Sequence, residues 1–226
     1  MLLLVTDTSG RSGSVALARA DLDNDTVQVI ESVPLAGGTF SAQLVPQIAA
    51  LLSKHDFRKS DIGAFIVVSG PGSFTGLRVG LAAIKGLAEI LEKPIVAVSL
   101  LEVVAIASHR QGRVIAALDA GRNEIYAGEY DFDGKTLSLH EEKLLTRDEL
   151  LFINNGRAIS TPDSAIAELA RQAGISTVAI DRISIDMIAN LGWKKLQAGE
   201  TVTPETLDAN YIRRTVAEIY PKPASA

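Results

Sequence analysis

Ser69-Gly-Pro-Gly-Ser-Phe-Thr-Gly-Leu-Arg-Val-Gly80 places glycines, a proline and hydroxyl side chains where an apolar strand hands over to a helix. Upstream, residues 64–69 are a short β-branched run of the kind that fills a strand covered on both faces. Downstream, Leu77, Leu81, Ile84, Ala88 and Leu91 recur at helical spacing, with Ser73 or Thr75 as N-cap. A glycine loop feeding a helix N-terminus suits an anion, because unpaired N–H groups and the helix dipole both favour negative charge. Known nucleotide signatures are nevertheless not met. Gly70-x-Gly72-x-x-x-Gly76 is one residue longer than the dinucleotide fingerprint, and no Gly-Lys-Ser/Thr follows. Ser73 is no nucleophile elbow, since Pro71 stands where that motif needs glycine. Two readings therefore stand for Gly70, Gly72, Ser73, Thr75 and Arg78: a tight structural turn, or a site for an anion or partner. Arg78 opposes the helix dipole, so it either answers a carboxylate or phosphate or is simply exposed.

Composition narrows the class. A chain of 226 residues, 47% hydrophobic, buries a substantial core in one large domain or two small ones. Its apolar runs are too short to span a membrane, and the start lacks the basic region of a signal peptide, so a soluble cytoplasmic protein is expected. Without cysteine there is no disulfide, thiolate metal site or cysteine nucleophile. A net charge of −5 argues against binding nucleic acid alone. His55, His109 and His140 are too dispersed for a His-x-x-x-His metal pair.

The pattern predicts strands at 2–7, 13–20 and 26–33, helix 41–54, strand 64–69, helix 75–91, strand 95–98 and helix 99–109. Pro46 either costs helix 41–54 a hydrogen bond or marks its first turn. The second half begins alike. Arg113-Val-Ile-Ala-Ala-Leu-Asp-Ala-Gly-Arg122 echoes Leu2-Leu-Leu-Val-Thr-Asp-Thr-Ser-Gly-Arg11, and a strand at 124–130 matches 13–20. The α/β chain is therefore read as a duplicated unit. After strand 135–145 the echo decays to a helix at 162–173, a strand at 175–180 and a helix at 184–198. The domain expectation is residues 1–110, residues 111–214 and a flexible tail, 215–226.

Asp7 and Asp119 each end the first strand of a half, where open α/β sheets place their ligand crevice. Facing each other, they could hold a divalent ion that bridges phosphates, as in a small kinase-like phosphotransferase. Alternatively each caps its own turn, as aspartate readily does.

Several of these motifs together resemble the TsaB family, also called YeaZ. They are Asp7-Thr-Ser with Gly13-Ser-Val-Ala-Leu17, the glycine loop 70–80, Leu118-Asp-Ala-Gly-Arg122 with Glu124-Ile-Tyr126, and Asn210-Tyr-Ile-Arg213. The resemblance runs from residue 1 to about 214, and the glycine loop is its most specific part. It implies a two-lobed fold of the actin, Hsp70 and sugar-kinase type, ribonuclease H-like, with the second lobe reduced.

The resemblance also implies a non-catalytic scaffold that pairs with TsaD and helps recruit the ATPase TsaE. That complex transfers threonylcarbamoyl to adenosine-37 of tRNA, which this chain would meet only through its partners. The catalytic relative is expected to hold its metal with paired histidines. Here Phe40-Ser-Ala-Gln-Leu44 stands at the matching stretch, where many family members carry a histidine. No catalytic residue and no metal are expected. Asp7, Thr8, Asp119 and Gly121 are expected to be remnants of a phosphate cleft, with no tightly bound cofactor and only weak ATP or ADP binding. Helices 41–54 and 75–91 are implied to pack against the same helices of TsaD, or of a second copy when TsaD is missing. The residues assigned to that contact are Leu44, Ile48, Leu51, Gly76, Leu77, Gly80, Leu81 and Ile84. Periodicity alone also allows these helices to pack on the protein's own sheet.

Overall fold

The computed structural model describes residues 1–154 and 156–212 and contains two five-stranded sheets built to one plan. The first half runs β1 (Leu2–Asp7), β2 (Ser12–Asp21), β3 (Thr26–Ala36), α1 (Phe40–Lys54), β4 (Ile62–Gly70), α2 (Phe74–Leu91), β5 (Ile95–Ser99) and α3 (Leu100–Ala107). The second runs β6 (Gly112–Gly121), β7 (Glu124–Phe132), β8 (Leu137–Thr146), α4 (Arg147–Ile153), β9 (Ala158–Thr161), α5 (Ser164–Gln172), β10 (Thr177–Ala179) and α6 (Ile185–Gln197). Strand orders are β3-β2-β1-β4-β5 and β10-β9-β6-β7-β8, the same arrangement twice. In each, an antiparallel meander is extended by two parallel strands.

The duplication is thus more complete than the sequence pattern suggests. Helix α4 and strand β9 supply the pieces missing from the echo. At seven and four residues they are too short for periodicity to register. A local signal for α4 does exist, since Thr146 and Glu149 form a capping box. Strand β3 runs on through Pro34, tolerated because β3 is an edge strand. Helix α1 begins at Phe40, so Pro46 lies inside it, on the exposed face. The proposed tail at 215–226 lies outside the described residues.

Alternation along β1 divides the first half's interior. Leu2 and Leu4 face the layer under α1 and α2, with Leu44, Ile48, Leu81 and Ile84. Leu3 and Val5 face the opposite layer, which contains Ile188, Ala189 and Trp193 of α6. A helix of the second half therefore covers the first sheet. Helix α3 does the converse. Its Leu100 and Val103 join the first sheet's layer, while Leu101, Val104 and Ala105 pack with Val114, Ala116 and Tyr130 of the second. This explains why α3 is apolar apart from Glu102, as a helix buried between two sheets is expected to be. The exchange of α3 and α6 locks the lobes face to face and leaves a cleft between the C-terminal ends of β1 and β6.

Candidate functional site

A cavity of about 840 Å³ lies between the halves. Its walls include the β1–β2 turn at Ser9–Arg11, the glycine loop at 72–76, the β6–β7 turn at Asp119–Gly121 and the segment 210–212. The two first-strand turns thus meet at one crevice, as the duplicated plan requires.

The aspartates are each held in their own turn beside it. The Asp7 carboxylate accepts from the Ser9 backbone N–H at 2.9 Å and the Ser9 hydroxyl at 2.6 Å, and Asp7 is not among the residues lining the cavity. Burial pushes its carboxyl up from the ordinary range, and the two Ser9 bonds pull it partly back. Asp119 does line the cavity, but its Oδ1 accepts from Gly121 N–H at 3.1 Å. Each carboxylate closes its own Asx turn, the second of the two sequence readings. Asp163 joins Asp119 by accepting its backbone N–H at 2.8 Å, and burial raises the Asp163 carboxyl. Among the described residues no group of three His, Asp or Glu side chains is placed to hold a metal.

The glycine loop is clamped rather than open. Ser73 N–H donates to Ser9 O at 2.6 Å, and the Ser73 hydroxyl caps α2 by accepting from Gly76 N–H at 3.3 Å. A Cβ on Gly76 would collide with Thr8 O, and one on Gly80 with the Thr8 hydroxyl. Thr8 is 2% exposed, so it has no room to yield. Gly72 meets Ser9 in the same way, and Gly70, at φ +142°, lies against the backbone of Asn210. These glycines bring α2 and its loop onto the β1–β2 turn. Thr75 is exposed at the rim.

The partners of Arg78 among the described residues are aromatic. Its guanidinium lies 3.7 Å from the centre of the Phe74 ring, and its Nε–H donates to the Tyr211 hydroxyl at 3.0 Å. Phe74 and Tyr211 are themselves 5.1 Å apart, so an aromatic pair held by one arginine forms the cleft rim. Phe74 was legible as the i−4 neighbour of Arg78, but Tyr211 was not.

The residues assigned to a partner face require correction. Leu44, Ile48, Leu51, Leu77, Leu81 and Ile84 are each at most 5% exposed, and Gly76 and Gly80 are buried. The helices' strongest apolar stripe belongs to this protein's own sheet, which it meets without any second molecule. The apolar and small residues that face outward are different: Ala42, Val45, Pro46, Ala49 and Ala50 on α1, and Ala82, Gly86 and Ile90 on α2, beside exposed Ser41, Arg78 and Glu89. Val45 is 52% and Ile90 75% exposed.

Comparison with known proteins places this architecture. Residues 34–190 match the family described as "TsaD: tRNA N6-adenosine threonylcarbamoyltransferase". The tRNA threonylcarbamoyladenosine biosynthesis protein TsaB of Bacillus subtilis is 35% identical over 133 residues, 58% of this chain and 56% of that protein. The match therefore spans little more than half of that relative. Its Escherichia coli namesake is 27% identical over 230 residues, 96% of each chain. Among solved structures, YeaZ from Pseudomonas aeruginosa superposes with a TM-score of 0.72 at 26% identity, over 93% of this chain and 99% of that one. A Bacteroides thetaiotaomicron protein with an actin-like ATPase fold superposes at 0.50 and 12% identity, over 84% and 95%, which bears on the fold alone.

Proposed function

Because the chain belongs to the TsaB (YeaZ) family, related to TsaD, we propose that it is a non-catalytic scaffold subunit in forming threonylcarbamoyladenosine in tRNA. It pairs with TsaD through the outward face of α1 and α2, helps recruit TsaE, and meets tRNA only within the complex. The observation that carries this reading is the composition of that face. Helices α1 and α2 pack side by side, and α1 has no charged residue before Lys54. Arg78 and Glu89 of α2 are also exposed, but the run of exposed alanine, valine and proline on α1, continued by Ala82 and Ile90 of α2, is unusual for a solvated helix pair and suits a protein contact. Gly86 adds to the argument. It lies inside α2, where glycine costs about 1 kcal/mol against alanine, yet a Cβ there would meet nothing within 4 Å among the described residues. Close approach by a partner helix supplies the missing reason.

A catalytic role draws no support from the cleft, because Asp7 and Asp119 are each engaged in their own turns. ATP and ADP are bound there weakly, and no cofactor is held tightly. Calorimetry with millimolar ATP and magnesium checks this, and a tight isotherm would revive the phosphotransferase reading.

The main test is size-exclusion chromatography with light scattering on this chain mixed with TsaD of the same organism. The wild type is expected to form a heterodimer and Ala49→Glu to abolish it while keeping its circular dichroism. Absence of any complex, with or without nucleotide, would sink the reading, as would threonylcarbamoyl transfer by this chain alone.

A further inference from the structure

Three donors from three separate parts of the chain converge on one carboxylate. Glu142 of β8 accepts at Oε1 from the Ser99 hydroxyl, at 2.7 Å, and from the Tyr130 hydroxyl. At Oε2 it accepts from the side-chain amide of Asn210. Ser99 caps α3 in the first half, Tyr130 lies on β7 in the second, and Asn210 follows α6. Burial, and next the Glu142 charge, push the Tyr130 hydroxyl far up, so it stays a donor. Glu102 extends the seam by accepting Ser99 N–H at 3.0 Å and pairing with Lys195 of α6 at 2.8 Å.

The segment carrying Asn210 touches both halves. Val202 makes a single antiparallel bridge to Ile95, and Leu207 is buried in the first half's core. Asn210 N–H donates to Ser69 O at 2.8 Å, at the head of the glycine loop. Tyr211 holds Arg78 of α2, while Ile212 packs into the second half's cluster with Tyr126. Asn210, Tyr211 and Ile212 also line the cleft. Few apolar anchors and one bridge make this a low-stability unit beside two complete sheets.

We infer that residues 201–212 form a releasable clasp, in which the Asn210–Glu142 bond holds the two lobes at their observed angle and Tyr211 ties the clasp to the first turn of α2. Adjacent residues grip opposite lobes, so releasing Asn210 frees both cleft walls together: loop 70–76 in the first half and turn 119–121 in the second. Contact at the first turn of α2 reaches the same clasp through Arg78. The inference rests on intramolecular contacts and does not depend on the partner proposed above.

Hydrogen–deuterium exchange on the full chain tests it. In Asn210→Ala, amides of 201–212, 70–76 and 119–121 are expected to exchange about tenfold faster, the scale of one lost hydrogen bond to a charged group, with β1, β4 and β6 unchanged. Tyr211→Phe, which keeps the ring and removes only the hydroxyl, is expected to speed the clasp and the first turn of α2 while sparing 119–121. Acceleration confined to 201–212, none at all, or a uniform rise across the strands in both variants would make the segment ordinary packing and overturn the clasp.

Discussion

Trp193 on α6 donates its indole N–H to Asp25 in the β2–β3 turn at 2.9 Å, joining residues 168 apart in sequence. The bond pins a helix of the second half to the first sheet, and beside it Gly192 lets α6 descend onto Ile66. Trp193→Phe is expected to cost about 1–3 kcal/mol, because a buried donor and its charged acceptor part and some apolar contact is lost. Urea denaturation followed by far-ultraviolet circular dichroism reads the change. Trp193 is the single tryptophan, so the wild type's fluorescence separately reports when α6 leaves the sheet.

Two glycines on α2 should respond in opposite directions. Gly80→Ala puts a methyl group into buried Thr8 and is expected to destabilise by about 1–3 kcal/mol through overpacking. Gly86→Ala meets open space and is expected to stabilise the isolated chain by about 0.5–1 kcal/mol through helix propensity. If Gly86→Ala also weakens the proposed complex with TsaD, the stability cost of that glycine is explained by docking. Thermal melts and complex titrations on the same two variants separate the effects.

Asp7 gives a pH signature. Its carboxyl is raised above 3.8 by burial, so between 3.8 and the raised value the folded state binds more protons than the unfolded one. Stability contributed by Asp7 is therefore full below 3.8 and falls as pH rises through that window. Asp7→Asn still accepts from Ser9 and carries no charge to desolvate. It is expected to be more stable than the wild type at neutral pH, with the gain shrinking toward acid. Denaturation midpoints across acidic to neutral buffers check this, and a gain independent of pH would assign the effect to something other than ionisation.

The outward face of α1 and α2 predicts self-association when no partner is present, since an uncovered apolar face finds a copy of itself by two-fold symmetry. Light scattering of the isolated chain at micromolar concentration should give a dimer mass, and Ala49→Glu a monomer. Leu81→Glu is expected to unfold the protein instead, because Leu81 is 5% exposed and an unpaired carboxylate there has no counter-charge. A strictly monomeric wild type would remove this prediction.

Much of the first half is legible residue by residue. The continuous apolar runs of β1 and β4, buried on both faces, and the i, i+4 spacing of α2 each reflect a local rule about which sides of an element are buried. The second half is harder to read. Strands β9 and β10 are four and three residues long, and α4 makes two turns, so pairing with neighbours rather than intrinsic pattern makes them strand or helix. The candidate site divides likewise. Asp7-Thr-Ser9 and Asp119-Ala-Gly121 show their Asx turns in sequence because donor and acceptor are two residues apart.

By itself, the sequence determined the α/β class, the strand-ending aspartates and a helix cap at Ser73 or Thr75, which depend on near neighbours, and the duplication and family resemblance, which follow from comparing one local motif with another. Only the tertiary structure decided which helix covers which sheet, which face of α1 and α2 is left outward, and what holds Arg78. Those choices are made by residues such as Tyr211 and Trp193, 133 and 168 positions from their partners. Periodicity marks an apolar stripe without naming the surface that buries it, whereas packing of the whole chain assigns each stripe to one.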